Sequence, residues 1–491
     1  MLANLQEKER GVFNMSKKMS GIIHFFVMVA LYFIVSMLPP FGMVTPMGMK
    51  ILGAFVAIVY GWIFMDLLFA SVFGFLFLGM TGVFTPATAV SAGFSNQTVQ
   101  TIIIIGAFAA GLNQLGLGEL ITNFMLSRKI IVGRPWLLVI AFCIMGALFG
   151  LMNKGLFGIL LLYAIVENIG KKCGYENKSA AMSFMCCMIL YCCIFLPSGF
   201  APYLPTMLMF GGIYANAMQV ALPWGSYFVA GLVMSLVIAA VMILLAKFVF
   251  RVDVSKFSIT EEQRQQYAAE KAPTVAKAAF ACLVVYIALI VSPQFLGTEN
   301  AIMAFINNVG LIGWTLVYMA IFVLWQDEEG KPVLNIGKMF ANLPWVVVML
   351  VAVTIPLGNA VSNADGGIMA TLNVWLRPIL ANFGVTGIYI FVLVFLGVLT
   401  QFAHNFVAGA VFLPLFGSVG VSLGADPYLL FFFMFTALNV SFATPAASMN
   451  TGFAFGTPQV NPKWAYIWGW ILLIVTIVVA LIGIPIWNAL I

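Results

Sequence analysis

The chain has 491 residues, of which 63% are hydrophobic and only 8% are charged, and its mean hydropathy is +1.08. Apolar runs long enough to cross a bilayer recur along the chain, which excludes a soluble globular protein. The net charge of +6 is spread over short loops and does not indicate nucleic-acid binding. We therefore predict an all-α polytopic membrane protein with about 11 transmembrane helices.

The first apolar run, residues 21–38, begins shortly after Lys17 and Lys18, and no small-residue cleavage site follows it. This pattern predicts a membrane helix and not a signal peptide. Residues 1–90 as a whole are predicted to form N-terminal helices that serve mainly as a scaffold.

The distribution of basic residues predicts the orientation of the chain. With a cytoplasmic N-terminus, 19 of the 22 Lys and Arg residues fall on the cytoplasmic side, as the positive-inside rule requires. The cytoplasmic stretches would then be 1–20, 127–135, 170–178, 247–277, 326–342 and 457–463. We expect a multi-pass protein of the cytoplasmic membrane.

The most polar loop divides the chain into two similar halves. Residues 251–275 are predicted to be a cytoplasmic connector between a first repeat, 91–250, and a second repeat, 276–491. Asn153 and Asn405 each lie between two apolar arms and are 252 residues apart, and Pro197 and Pro445, which follow them, are 248 residues apart. So constant an offset favours an internal duplication.

The apolar arms around these asparagines, at about 135–168 and 386–417, are too short to cross a hydrocarbon core of ~30 Å and predict re-entrant hairpins. In the predicted orientation the first hairpin opens to the cytoplasm and the second to the outside. Inverted repeats of this kind are typical of secondary transporters with a binding site near the bilayer midplane.

Each hairpin is followed by a segment that should unwind. Residues 195–205 and 441–452 contain proline, glycine and hydroxyl residues, which disrupt a helix in the membrane. Unwound carbonyls can coordinate a cation, and half-helix N-termini can attract an anion. Ser198 and Ser448 lie in these breaks and are expected either to satisfy unwound backbone or to contact substrate.

From about residue 95 the sequence resembles the divalent anion/sodium symporter family of carboxylate transporters, within the ion transporter superfamily. The segments that carry the resemblance are FSNQTVQTIIIIGAFAAGLNQLGLGELI (94–121), NFVAGAVFLPLF (405–416), DPYLLFFF (426–433) and FATPAASMN (442–450). The resemblance implies two inverted repeats, a homodimer, and a transport domain that moves as an elevator against a scaffold.

The resemblance also implies site residues. Members of the family carry a Ser-Asn-Thr triplet at each hairpin tip, whereas this chain has Met152-Asn153-Lys154 and His404-Asn405-Phe406. Both asparagines are retained and are expected to bind substrate. The spacing of the family's second sodium loop is kept, which implies a possible sodium site; its residues would be Thr400, Ala403, Asn405 and Ala443. Thr444, Pro445 and Ser448 at the facing break are expected to contact substrate.

Two titratable side chains replace hydroxyl residues at the tips. Lys154 could act as a tethered cation that holds the anionic substrate in place of a first sodium ion, or it could extend toward the cytoplasmic mouth of its hairpin. His404 could donate to a substrate carboxylate or couple transport to a proton. Alternatively, it is a neutral histidine bonded to a backbone carbonyl in the hairpin.

These residues predict a secondary carrier of small organic anions, working as sodium or proton symport or as anion exchange. The alternative is a sodium/proton antiporter of the same superfamily, but neither the tips nor the breaks contain the Asp or Glu that such antiporters need. A membrane-embedded enzyme is a weaker third alternative, because there is no His/Asp cluster, no nucleophile beside a base and no cofactor motif. No cofactor is expected apart from the possible sodium ion, and the more apolar, more cationic tips predict an anion with an apolar portion or a single carboxylate.

Overall fold

The computed structural model describes residues 21–111, 115, 117–153, 155–269, 274–297, 299–326, 330–343, 345–445 and 447–491. Within these ranges the chain is helical, without a strand. The α-helices, numbered in chain order, are α1 (Gly21–Met37), α2 (Pro46–Phe64), α3 (Leu67–Gly79), α4 (Pro86–Phe94), α5 (Gln97–Gly111), α6 (Leu117–Leu126), α7 (Pro135–Leu151), α8 (Gly155–Lys172), α9 (Ala180–Ile194), α10 (Pro205–Met218), α11 (Trp224–Leu244), α12 (Glu261–Ala269), α13 (Thr274–Leu296), α14 (Ala301–Leu324), α15 (Ile336–Ala341), α16 (Trp345–Val361), α17 (Ile368–Ala381), α18 (Gly384–Leu399), α19 (Asn405–Ser422), α20 (Pro427–Asn439), α21 (Met449–Gly456), α22 (Pro462–Ile482) and α23 (Ile484–Leu490).

The apolar helices make this a multi-pass membrane protein. Among the described residues, six helices are long and apolar enough to cross a bilayer, or seven if the bent pair α12 and α13 is one span. Four of the six are α2, α14, α19 and α22. The other two are α9, extended by the 3-10 turn at Ser198–Phe200, and α11, extended by a π-helical turn at Leu245–Val249. Seven further apolar helices have 10–17 residues, so about 11 crossings would require several of these shorter helices.

The order of helices repeats along the chain. Helices α5 to α9 begin at residues 97, 117, 135, 155 and 180, and helices α16 to α20 begin at 345, 368, 384, 405 and 427. Each pair of starting positions is therefore 247–251 residues apart. Helices α10 and α11 correspond in order to α21 and α22, whose starts lie 244 and 238 residues later. The duplication seen around the asparagines thus extends over seven consecutive helices.

Two helical hairpins lie at the predicted positions. The first consists of α7 and α8 and the second of α18 and α19, so they span 135–172 and 384–422. Their arms have 16–18 residues, which at ~1.5 Å per residue gives at most ~27 Å, slightly less than the ~30 Å hydrocarbon core. The arms are longer than the sequence pattern indicates because the helices continue to the polar turns at their open ends.

Each hairpin packs against the broken helix that follows it. Helices α7 and α8 contact α9, and α18 and α19 contact α20; across the repeats, α10 contacts α19 and α22 contacts α9. Gly150 makes the first of these contacts possible, because a Cβ there would collide with the Cys193 carbonyl and the Ser198 side chain. Such close packing leaves little freedom to the backbone that forms the site.

Candidate functional site

The first tip is a tight turn around Asn153. This residue has a φ of 56°, which is in the left-handed region that asparagine tolerates better than most residues. Its N–H donates to the Gly150 carbonyl at 2.9 Å, and the Tyr203 hydroxyl donates to the Leu151 carbonyl at 2.8 Å. The tip backbone is therefore fixed partly by the break that follows α9. Lys154 lies outside the described residues.

The first break runs from the end of α9 to the start of α10. A cis peptide bond joins Leu196 to Pro197, and a single 3-10 turn follows at Ser198–Phe200. Ser198 is buried, and its hydroxyl donates to the Cys193 carbonyl at 3.3 Å. The hydroxyl thus satisfies backbone freed by the break, which is one of its two expected roles, and a contact of Ser198 with substrate stays a prediction.

The second tip places His404 at the N-terminus of α19. Its Nδ1 accepts a hydrogen bond from the Phe406 N–H at 3.2 Å, so the ring caps the helix. This differs from the expected bond to a backbone carbonyl: a nitrogen that accepts carries no proton, so in the neutral ring the proton belongs on Nε2. The ring is partly exposed, and Nε2 is the nitrogen that could donate to an anion.

Asn405 follows at the first position of α19. The residue is 7% exposed, and its Oδ1 has no hydrogen-bond partner among the described residues. A buried amide oxygen without a donor costs ~1–3 kcal/mol. Such an atom in a tight structure indicates a missing partner, such as a cation, a water molecule or a ligand donor.

A buried glutamine, Gln401, joins the second tip to the second break. Its Nε2 donates to the Gly397 carbonyl at 2.7 Å and to the Val440 carbonyl at 2.8 Å, and its Oε1 accepts from the Ala443 N–H at 2.8 Å. The Thr444 hydroxyl in addition donates to the Gln401 carbonyl. The Gln401 side chain therefore bonds to a backbone carbonyl of the arm, at Gly397, and to two backbone groups at the break, at Val440 and Ala443.

The predicted sodium ligands are only partly brought together by these bonds. Thr400 is fully buried, and its hydroxyl donates to the carbonyls of Gly397 at 3.2 Å and Ala437 at 3.4 Å. Ala403 ends the arm with a bond from its N–H to the Leu399 carbonyl at 3.0 Å. The bond from the Ala443 N–H to the Gln401 side chain holds Ala443 against the tip. Gln401 is not one of the predicted sodium ligands.

The rest of the second break is also internally bonded. The Ser448 side chain caps α21 and lies 2.9 Å from the Thr451 hydroxyl, which donates to the Ser441 carbonyl at 2.8 Å. Pro445 is exposed. Ser448 therefore satisfies backbone as one of its two expected roles, and a contact of Ser448 with substrate stays a prediction.

The two breaks approach each other through aromatic rings. Phe442 of the second break lies 5.2 Å from Tyr191 and 6.3 Å from Phe195, as measured between ring centroids. Phe200 of the first break lies 5.3 Å from Phe435. An apolar contact therefore joins the two unwound segments.

A cavity of about 390 Å³ lies between the second arm of the first hairpin and the end of α21. Leu160, Tyr163 and Ala164 line one side and 452–453 with 456–459 the other. Beyond it, the Glu167 carboxylate accepts hydrogen bonds from the Asn177 Nδ2 at 2.9 Å and from the Gln459 Nε2 at 2.6 Å. A polar cluster thus lies at the cytoplasmic end, in the predicted orientation, of a gap between the repeats.

Comparison with known proteins decides the family. A family model described as the sodium:sulfate symporter transmembrane region matches residues 19–491. The chain belongs to this family. This membership confirms the resemblance to divalent anion/sodium symporters, and it makes the chain a transporter and not an enzyme. A comparison with curated proteins found no match.

Among solved structures, the fold is similar to that of the YdaH transporter of Alcanivorax borkumensis. The TM-score is 0.58 and the sequence identity 12%, with 82% of this chain and 87% of the other chain covered. At this identity the similarity establishes the all-helical transporter fold alone.

Proposed function

We propose that this sodium:sulfate symporter family member is a secondary active transporter of small organic anions, coupled to sodium at the second hairpin tip. The observation that carries the proposal is the buried Oδ1 of Asn405, which has no partner in the part of the chain that the structure describes. It lies at the N-terminus of the second arm of the second hairpin and close in sequence to Gln401, which fixes the facing break. An unwound segment beside a helix terminus in the membrane is typical of ion sites in secondary transporters.

A sodium ion would supply the missing partner of Asn405. Hard cations prefer neutral oxygen and carboxylate ligands, and the proposed set combines Asn405 Oδ1 with backbone or hydroxyl oxygens of Thr400, Ala403 and Ala443. The Gln401 bonds support this set because they keep the Ala443 segment against the tip. A charged side chain would not be needed to hold one sodium ion beside an anionic substrate.

The anion would be bound by groups at both tips. The N-termini of α8 and α19 carry the positive ends of their helix dipoles, and each begins directly after a tip. Asn153, Lys154 and the His404 Nε2 would add donors and charge, whereas Ser198, Thr444, Pro445 and Ser448 would line the breaks. Lys154 would hold the anion where the family's first sodium-binding hydroxyls are absent.

Movement of the anion would follow the elevator scheme in a homodimer. The two hairpins and the broken helices that they contact form one closely packed unit, which supports their moving together. Proton symport and anion exchange are the other coupling modes, and both would use the His404 ring. A sodium/proton antiporter is disfavoured because neither tip and neither break contains a carboxylate.

Uptake into proteoliposomes tests the proposal. The substrates would be labelled sulfate and a panel of mono-, di- and tricarboxylates, each measured with and without an inward sodium gradient. We expect sodium-stimulated uptake of at least one organic anion. We expect that Asn405→Ala removes the stimulation by sodium, because the variant lacks the free oxygen.

The matched control is Asn382→Ala, since Asn382 is exposed and its side chain donates only to the Pro378 carbonyl. This variant should keep the wild-type sodium dependence. Uptake of sulfate alone would overturn the organic-anion substrate, and undiminished sodium stimulation in Asn405→Ala would overturn the ion site.

Lys154→Ala is the companion variant for the anion. If Lys154 holds the substrate, uptake should fall with a raised KM while sodium stimulation is retained. Unchanged uptake would instead mean that the ammonium group extends to the cytoplasmic mouth.

A further inference from the structure

Two adjacent cavities outside the tips and breaks form one compartment. The larger has a volume of about 340 Å³ and the smaller about 170 Å³. Both are lined by Thr354, Gly358 and Ser362 of α16 and by Pro414 of α19. The compartment therefore lies between α16 and the second arm of the second hairpin.

The two chambers differ in chemistry. The larger one is lined mainly by apolar side chains, among them Phe55, Leu357, Val361, Trp375 and Leu415. The smaller one is lined by the amides of Asn216, Gln219 and Asn359 and by the Ser362 hydroxyl. Among the described residues, the side chains that line the two chambers are uncharged.

The amides of the smaller chamber form a connected chain. The Asn96 Nδ2 donates to the Asn216 Oδ1 at 3.0 Å, and the Asn216 Nδ2 donates to the Asn359 Oδ1 at 3.4 Å. Asn216 lies in the last turn of α10 and Asn359 in the last turn of α16. An amide cluster at helix ends suits the level of the membrane interface, because unpaired polar groups are costly in the hydrocarbon core.

The larger chamber borders the surface that faces hydrocarbon. Phe41 and Trp375 line it and stack with centroids 5.7 Å apart, and they are 41% and 54% exposed. Leu38 and Met43, on either side of Phe41 in the chain, are 50% and 59% exposed. An apolar ligand could therefore enter from the bilayer without crossing water.

The geometry points to a site for a membrane lipid, whose acyl chain fills the apolar chamber and whose uncharged glycerol-ester region is hydrogen-bonded by the amide chain. An acyl chain is stabilised by each CH₂ that it buries, and ester oxygens can accept from amide N–H groups. The phosphate would lie outside, because neither chamber offers a cation to an anionic group. Such a lipid would touch both α16 and the second arm of the second hairpin.

This site is independent of the transported anion. The walls come from α2, α16 and α17 on one side and from Ala410, Val411 and Leu415 of α19 on the other. A bound lipid would therefore contact the hairpin that carries the second tip. Its binding can be measured without any transport assay.

The test is photolabelling in proteoliposomes. The probe is phosphatidylcholine with a diazirine in one acyl chain, diluted into vesicles of phosphatidylethanolamine and phosphatidylglycerol, and labelled peptides are read by mass spectrometry. We expect label concentrated on the segments around Leu357 and Leu415 in the wild type. Val361→Trp, which fills the apolar chamber, should remove most of that label.

Val394→Trp is the matched control, since Val394 is 42% exposed on α18 and lines neither chamber. It should keep the wild-type labelling, and both variants should match the wild type in size-exclusion profile. Label spread evenly over membrane-facing residues such as Ile474 and Ile482, or unchanged in Val361→Trp, would overturn the site.

Competition tests the amide end. Unlabelled diacylglycerol, which has the uncharged head that we infer, should reduce the labelling more than hexadecane does, and Asn359→Leu should remove this difference. Equal competition by hexadecane in the wild type would show that the amides bind no head group and would overturn the two-chamber site.

Discussion

Gln401 is the residue on which the second half of the site depends most. Its side chain is fully buried and pairs backbone groups of Gly397, Val440 and Ala443. Two of these groups lie in the break, where no helix can satisfy them. The second tip and the second break therefore form one unit.

Replacing Gln401 by Leu should be strongly destabilising. The change keeps a similar volume but leaves the Ala443 N–H unpaired and removes one of the donors to the carbonyls of Gly397 and Val440, which we expect to cost about 1–3 kcal/mol. Thermal unfolding of the purified protein would measure this, and uptake should need a higher sodium concentration. Gln100→Leu is the control, because Gln100 is exposed and its contacts are at 3.3–3.5 Å; equal stability of Gln401→Leu and wild type would contradict this role.

His404 can be tested as a helix cap. Asparagine is a good N-cap whereas alanine is a poor one, so His404→Asn should retain stability and His404→Ala should lose about 1 kcal/mol. The free energy of unfolding of the two variants gives the comparison. Equal loss in both would mean that the ring is needed for contacts other than the bond from the Phe406 N–H.

At the residue level, the sequence pattern predicts the segment that forms the second tip but does not identify every residue of the site. Asn405 is recognisable because it retains the family position between two apolar arms. Gln401 lies three residues before His404 and was not singled out, because motif spacing concerns the tip triplet. The available signal was an uncharged amide directly at the end of an apolar arm, where a buried polar group must pair with backbone.

At the level of elements, the polar cluster around Glu167 joins the first hairpin to the second repeat. The pair of Glu167 with Lys171 at 2.6 Å contributes little, since the Lys171 ammonium is exposed and solvent screens it. The bond from Gln459 is different, because it crosses from the turn before α22 to α8. It closes one end of the cavity between α8 and α21, which is the cytoplasmic end in the predicted orientation.

Breaking that contact should loosen the first hairpin without unfolding the protein. In Glu167→Ala we expect faster hydrogen exchange in residues 155–172 and in the turn 457–461, with exchange in 180–194 unchanged. Lys171→Ala is the matched control and should leave the exchange of both segments close to that of the wild type. Equal exchange in Glu167→Ala and wild type would show that packing alone holds the hairpin.

The hairpins show which properties of an element can be predicted from the sequence. Their positions could be predicted because a polar tip between apolar arms has few alternatives in a bilayer. Their lengths could not, since the arms continue until the polar turns at 173–178 and 423–426, and hydropathy declines only gradually there. The contact between the two breaks also needed the tertiary structure, because nothing in a single helix specifies its partner.

For the whole molecule, the predicted orientation can be tested by cysteine labelling. The described cysteines are buried except for Cys173 and Cys282, which are partly exposed. In a background with these two replaced by serine, Ser255→Cys should be protected from an impermeant reagent added to intact cells, and Ala364→Cys should react. The reverse pattern would place the N-terminus outside.

The sequence by itself determined that this is a helical membrane transporter of the symporter family with a duplicated hairpin and break. Those conclusions depend on hydropathy, on the positions of proline and glycine, and on motif spacing, all of which are local along the chain. The tertiary structure decided which backbone groups the breaks leave satisfied, which oxygen remains free at Asn405, and how the amide and apolar chambers join. These features depend on contacts between helices more than 100 residues apart, such as Asn96 with Asn216 and Glu167 with Gln459.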